Sequence, residues 1–126
     1  MIVLIDSDIL IEISRGRNRQ TLLEFQNLLT PAHFALYTPV SAAELWRGSR
    51  PNEFQITAEL FRSLRCVDST YEIGELAGEF LRKHAKSHAL ELPDALIAAS
   101  AVATQALLWT RNRKHYPMPE LSFYEI

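Results

Sequence analysis

Ile2-Val3-Leu4-Ile5 is an unbroken apolar run that stops on an acid, Asp6, with Ser7 and Asp8 directly behind it. Branched apolar residues without alternation are what a strand covered on both faces requires. A carboxylate straight after such a strand leaves the sheet at its carboxyl end, where open parallel sheets collect their reactive groups. Downstream, a helical pattern runs from about Asp8 to Ser14 and breaks at Arg15-Gly16-Arg17-Asn18. Leu22, Phe25, Leu28 and Leu29 recur at helical spacing until Thr30-Pro31, and Phe34 to Thr38 alternates like a second strand. Val40 to Arg47 reads as helix, and Ile56, Leu60, Phe61 and Leu64 form another amphipathic stripe. Arg65 to Val67 fits a short third strand. Ser69-x-x-Glu72 has capping-box spacing ahead of a helix carrying Ile73, Leu76, Ala77, Phe80 and Leu81 on one face. Pro93 suits the first turn of a helix over Asp94 to Thr104, apolar nearly all round and therefore central. Ala106 to Trp109 reads as a fourth strand and Leu121 to Tyr124 as a fifth. Strands alternating with helices predict one α/β domain over residues 1–126, with a mainly parallel sheet of four or five strands flanked by helices.

Composition narrows the function classes. The 126 residues are 48% hydrophobic and 22% charged, a globular balance long enough for one core without staples. A net charge of −2 does not announce a nucleic-acid binder, but local patches rather than totals decide that. The single cysteine, Cys66, has no intrachain partner and is expected to be a small core residue in a reducing compartment. No stretch has the length to span a bilayer, and the N-terminal run lacks a basic leader and a cleavage site. A soluble cytoplasmic protein is the expectation.

Four features should meet at the carboxyl edge of the sheet. Asp6 and Asp8 close the first strand, and Glu44 lies in the first turns of the helix after the second. Asp94 opens the buried helix, and Thr110-Arg111-Asn112 leaves the fourth strand. Carboxylates gathered this way repel, so each needs a cation or a proton. Oxygen ligands without a cysteine or histidine cluster favour Mg²⁺ or Mn²⁺ over zinc. Each acid also has a plainer role open to it. Asp8 or Ser7 can cap the first long helix, Ser41-x-x-Glu44 has capping-box spacing, and Asp94 complements a helix dipole. Asp6 is the hardest to dismiss.

Four blocks carry a family resemblance: Ile2 to Leu10 (IVLIDSDIL), Val40 to Gly48 (VSAAELWRG), Leu92 to Ala101 (LPDALIAASA) and Trp109 to Tyr116 (WTRNRKHY). Their order resembles the motif blocks of PIN-domain ribonucleases, most of all the VapC-type toxins of toxin–antitoxin pairs. The resemblance implies that Asp6, Glu44 and Asp94 form an acidic core holding Mg²⁺ (or Mn²⁺). It places the fourth position in the TRN block, often an acid, where this chain offers Asn112 and then His115. Asp8 is a further source of charge there. The implied chemistry is hydrolysis of RNA by a metal-activated water, and the implied partners are a VapB-like antitoxin and a second copy of the chain. Trp46, Phe61 and Leu64 are the candidates for partner-facing surface.

Basic residues follow each acidic motif: Arg15, Arg17 and Arg19; Arg47 and Arg50; Arg111, Arg113 and Lys114. A negative pit rimmed by arginines suits RNA, so Arg15, Arg17, Arg47, Arg111, Arg113 and Lys114 are the expected phosphate contacts. Ordinary solvated loop charges are the plainer alternative. Trp46 and Trp109 suit base stacking, though core or partner-facing places are more usual. His33, His84, His88 and His115 are scattered and are expected at the surface.

Two other enzymatic readings compete. Asp6-Ser7-Asp8 fits the opening motif of haloacid-dehalogenase-like phosphatases, with Thr110 and Lys114 adding a little. A response-regulator receiver has similar length, but Asp68 comes late for its phosphoacceptor. Neither explains Glu44 or the LPDALIAASA block. A non-catalytic PIN-like module that binds RNA or a partner is the remaining alternative.

Overall fold

The computed structural model describes residues 1–125. The chain runs β1 (Ile2–Ile5), α1 (Ser7–Arg15), α2 (Arg19–Leu28), β2 (Phe34–Tyr37), α3 (Pro39–Gly48), α4 (Phe54–Arg62), β3 (Arg65–Cys66), α5 (Tyr71–His88), α6 (Leu92–Ala103) and β4 (Leu107–Trp109). The strands form one parallel sheet in the order β3-β2-β1-β4. The expected fifth strand is reduced to an isolated parallel bridge between Leu108 and Phe123. Tyr124 donates from its backbone to Leu108, but the chain around it does not extend far enough to build a ladder.

The apolar run of β1 is explained by what covers it. Leu4 packs with Phe80, Ala95, Ile97 and Leu108 on one face, in the core under α5 and α6. Val3 and Ile5 pack with Ile9, Leu10, Phe25 and Trp109 on the other, under α1 and α2. Burial on both sides removes any reason for alternation. Ala98, Ala99 and Ala101 are fully buried in α6, and their small side chains let it lie close to its neighbours.

Three local expectations change. The α3 cap is Thr38, whose hydroxyl accepts from the Ser41 amide at 3.2 Å, with Pro39 in the first turn. Ser41 is therefore inside the helix, and the Ser41-x-x-Glu44 spacing is not a capping box. The α5 cap is Thr70 rather than Ser69. The cap of α1 is Asp6, which accepts from the Ser7 amide, rather than Ser7 or Asp8. Gly16 closes α1 at φ 62°, a left-handed position that favours glycine, with its amide shared between Glu12 and Ile13 carbonyls.

Cys66 is exposed, not a core residue, because β3 is a two-residue edge strand with both side chains outward. Phe61 and Leu64 are each only 8% exposed and pack into the core, so of the proposed partner-facing trio only Trp46 reaches the surface. There it tilts against Phe54, itself exposed, with ring centroids 5.7 Å apart. Trp109 lies in the core, where it tilts against Tyr124. Among the described residues no helix is long and apolar enough to cross a membrane.

Candidate active site

β1 has β2 on one side and β4 on the other, so the connections depart in opposite directions at the β1–β4 seam. That switch point opens a crevice beyond the carboxyl ends of the strands. The Asp6 amide donates to the Trp109 carbonyl at 2.9 Å, locking the two strand exits together. Asp6 itself is buried, as a carboxylate wedged between strand and helix must be.

Its charge is met by donors. Oδ1 accepts from the Ser7 amide at 2.8 Å. Oδ2 accepts from the Thr110 hydroxyl at 2.7 Å and the Tyr116 hydroxyl at 2.9 Å. Thr110 and Tyr116 belong to the WTRNRKHY block; in the sequence Thr110 counted only toward the edge cluster and the phosphatase reading, and Tyr116 carried no assignment. Only folding brings positions over a hundred residues away against Asp6. Burial, then the charges of Asp6 and Asp94, push the Tyr116 phenol far above its ordinary range, so it stays a donor.

Glu44 enters from α3. Its Oε1 accepts from the Ser7 hydroxyl at 2.8 Å, and that hydroxyl also meets the buried Ser41 hydroxyl at 2.8 Å. Ser7 thus lies between the Asp6 and Glu44 carboxylates, touching one through its amide and the other through its hydroxyl. Asp94, in the first turn of α6, has its carboxyl raised by burial and then by the Asp6 charge. His115 is close enough to lower it slightly.

Asp8 is tied to the loop after β4. Its Oδ2 accepts from the Arg111 amide at 2.9 Å and the Asn112 side-chain amide at 3.2 Å. Burial, then Asp6, push its carboxyl up to about 6. Asn112 and Asp8 therefore act as a pair, with His115 on the Asp94 side.

Asp8 and Asp94 both lie in the field of the Asp6 carboxylate. Among the described residues, no three Asp, Glu, His or Cys side chains make a ready-made metal cage. The carboxylate oxygens of these acids suit a small hard ion better than zinc, and Mg²⁺ keeps several waters and takes only one or two carboxylates directly. The carboxyls of Asp8 and Asp94 are raised by burial first and by the Asp6 charge second. The donor set fits such an ion.

The basic residues divide by role. Arg111 is committed inward: Nε meets Glu12 Oε2 at 2.9 Å, and Nη2 meets Glu12 Oε1 at 3.0 Å and the Thr21 hydroxyl at 2.7 Å. Arg113 pairs with Glu125 and lies over the Phe123 ring. Arg15, Arg17 and Arg50 instead line an open cleft of about 380 Å³ with Ser14, Gly48 and Glu53. Arg15 and Glu44 also share the wall of an adjoining groove. Arg47 and Lys114 are exposed, and Lys114 lines a second cleft with Thr110 to Arg113 and His115. Of the histidines, His88 and His115 are exposed, while His33 and His84 are half-buried rather than at the surface.

The PIN domain family model matches residues 3–121. Ribonuclease VapC10 of Mycobacterium tuberculosis is 34% identical over 122 residues, covering 94% of this chain and 88% of that protein. Ribonuclease VapC19 of the same organism is 29% identical over 120 residues, covering 94% and 95%. In fold, the chain is similar to a VapBC2 structure from Rickettsia felis bound to a promoter DNA fragment, with a TM-score of 0.84, 20% identity and 98% coverage of both chains. It is also similar to VapBC-1 from nontypeable Haemophilus influenzae, with a TM-score of 0.81, 21% identity and coverage of 99% and 98%.

Proposed function

The chain belongs to the PIN-domain family, and from that premise we propose that it is a Mg²⁺-dependent endoribonuclease, the toxin of a toxin–antitoxin pair. The carrying observation is that Asp8 and Asp94 both lie in the field of Asp6 at the β1–β4 seam, with Glu44 one hydroxyl away. Nothing in a receiver or phosphatase reading places an α3 carboxylate there.

When bound, the divalent ion lowers the pKa of a water and neutralises charge developing on the phosphodiester. The protein's own groups prepare for that. Ser7, Thr110 and Tyr116 hold the Asp6 carboxylate in one orientation, and Ser7 with Ser41 holds Glu44. Asp94, at the start of a rigid buried helix, has little freedom to retreat from the neighbouring negative charge. The Asp8–Asn112 pair takes the fourth position, where Asp8 adds the charge that Asn112 lacks. Arg15, Arg17 and Arg50 supply cations for RNA phosphates on the Glu44 side, with Arg47 and Lys114 as further exposed contacts. An antitoxin of the VapB kind is the proposed partner, covering the acidic mouth.

The test is cleavage of RNA by purified protein with Mg²⁺, in parallel with Asp6→Asn and with EDTA. Cleavage that needs both Mg²⁺ and Asp6 supports the nuclease. RNA binding without cleavage in any divalent ion would leave a binding module.

A further inference from the structure

Asp6 presents its two oxygens to the site very unequally. A carboxylate offers roughly four lone-pair positions, about two on each oxygen. On Oδ2 both are taken, by Thr110 at 2.7 Å and Tyr116 at 2.9 Å. On Oδ1 the Ser7 amide takes one and, among the described residues, leaves one open. Tyr116 is 3% exposed and its ring packs in the core with Met118 and Leu121, so the phenol cannot swing aside cheaply. Thr110 is also buried, on the strand exit that Asp6 grips through its own backbone.

We propose that Tyr116, with Thr110, masks Oδ2 of Asp6, restricts Asp6 to one-oxygen ligation through Oδ1, and so makes the site selective for Mg²⁺ against Ca²⁺. The inference rests on the reading that Asp6 holds the metal. Its physical basis is the difference between the two ions. Ca²⁺ accepts carboxylates through one or both oxygens in a loose, larger shell, whereas Mg²⁺ demands a compact octahedron and keeps its waters. A carboxylate with one oxygen covered serves the second ion and disadvantages the first. Tyr116 is a positioning residue, acting on the metal through Asp6.

Tyr116→Phe uncovers half of Oδ2 and keeps the ring in place. Affinities for MgCl₂ and CaCl₂ are read by calorimetric titration of the apoprotein, with Asp6→Asn titrated alongside. The expected result is a Ca²⁺-to-Mg²⁺ affinity ratio raised at least about fivefold over wild type, whatever happens to each affinity alone. A packing role for Tyr116 weakens both ions together and leaves the ratio in place, so a smaller change overturns the inference. If Tyr116→Phe does not fold, Thr110→Val removes the other donor and is read by the same ratio and threshold. Asp6→Asn separates the two failures. If it binds Mg²⁺ as wild type does, Asp6 is not a ligand and the underlying reading falls together with the inference. If it loses Mg²⁺ while the ratio in Tyr116→Phe stays put, only the masking role falls.

Discussion

Asp94 holds a negative charge half-buried at the start of α6 and within the field of Asp6. Without metal, that charge works against the fold. Asp94→Asn keeps the shape and relieves the repulsion, so calorimetry in EDTA should show it melting at or slightly above wild type. The same variant should lose the rise in melting temperature that Mg²⁺ produces by mass action, and RNA cleavage with it. Near wild-type cleavage by Asp94→Asn would leave Asp94 a helix-terminal charge. Asp8 supplies a pH signature. Its carboxyl moves from the ordinary 3.8 up to about 6, through burial first and Asp6 second. Its folded-state pKa is the higher one, so the folded protein holds this proton more tightly. The contribution to stability is full below the unfolded value and is lost as pH rises through the folded one. In EDTA, urea melts should therefore show stability falling between about pH 4 and pH 6 through this group. Asp8→Asn should flatten that part of the profile, and an unchanged slope would remove Asp8 as its source.

At the next level, each acid depends on the element that delivers it. α3 delivers Glu44, and its first turn is held by Thr38, buried at 2% exposure. Thr38→Ala should cost about 1 kcal/mol in urea melts, the usual value of a helix cap, and lower cleavage by loosening Ser41 and Glu44 together. The loop after β4 is held by Arg111, which reaches α1 at Glu12 and α2 at Thr21 while its amide meets Asp8. Removing a partly exposed paired arginine costs on the order of 1 kcal/mol. Arg111→Ala should show that loss together with reduced cleavage from a displaced Asp8–Asn112 pair. RNA affinity should barely change, because the guanidinium is already held by Glu12 and Thr21. A large loss of RNA affinity in filter binding, with stability intact, would return Arg111 to the phosphate contacts.

For the whole molecule, a net charge of −2 hides a polar arrangement, with acids at the β1–β4 seam and a cleft of arginines beside Glu44. RNA affinity should fall with salt, and each phosphate contact removed should reduce the slope of log affinity against log salt by roughly 0.7 for a single strand. Arg15→Ala and Arg17→Ala, measured with the cleavage-dead Asp6→Asn background, should each do so. Unaltered slopes would show that the RNA takes another path across the surface.

The sequence by itself determined the architecture and marked the candidate acids. The apolar run of β1, the all-round apolar α6 and the alternation of strand and helix patterns specify a parallel sheet because period and burial are properties of neighbouring residues. The acids at strand and helix ends follow from the same patterns, since those ends all open on one edge. Elsewhere local pattern misled. Phe61 and Leu64 looked available for a partner, and Cys66 looked buried, because the burial of one face depends on which elements pack against it. Only the tertiary structure decided which donors meet Asp6, that Ser7 links it to Glu44, and which arginines are paired with acids of the same chain. Thr110 and Tyr116 lie more than a hundred positions from Asp6, and no local periodicity reports a hydrogen bond across such a distance. It forms because β4 pairs beside β1 and brings Thr110, and the loop that follows it brings Tyr116, to the exit of the first strand.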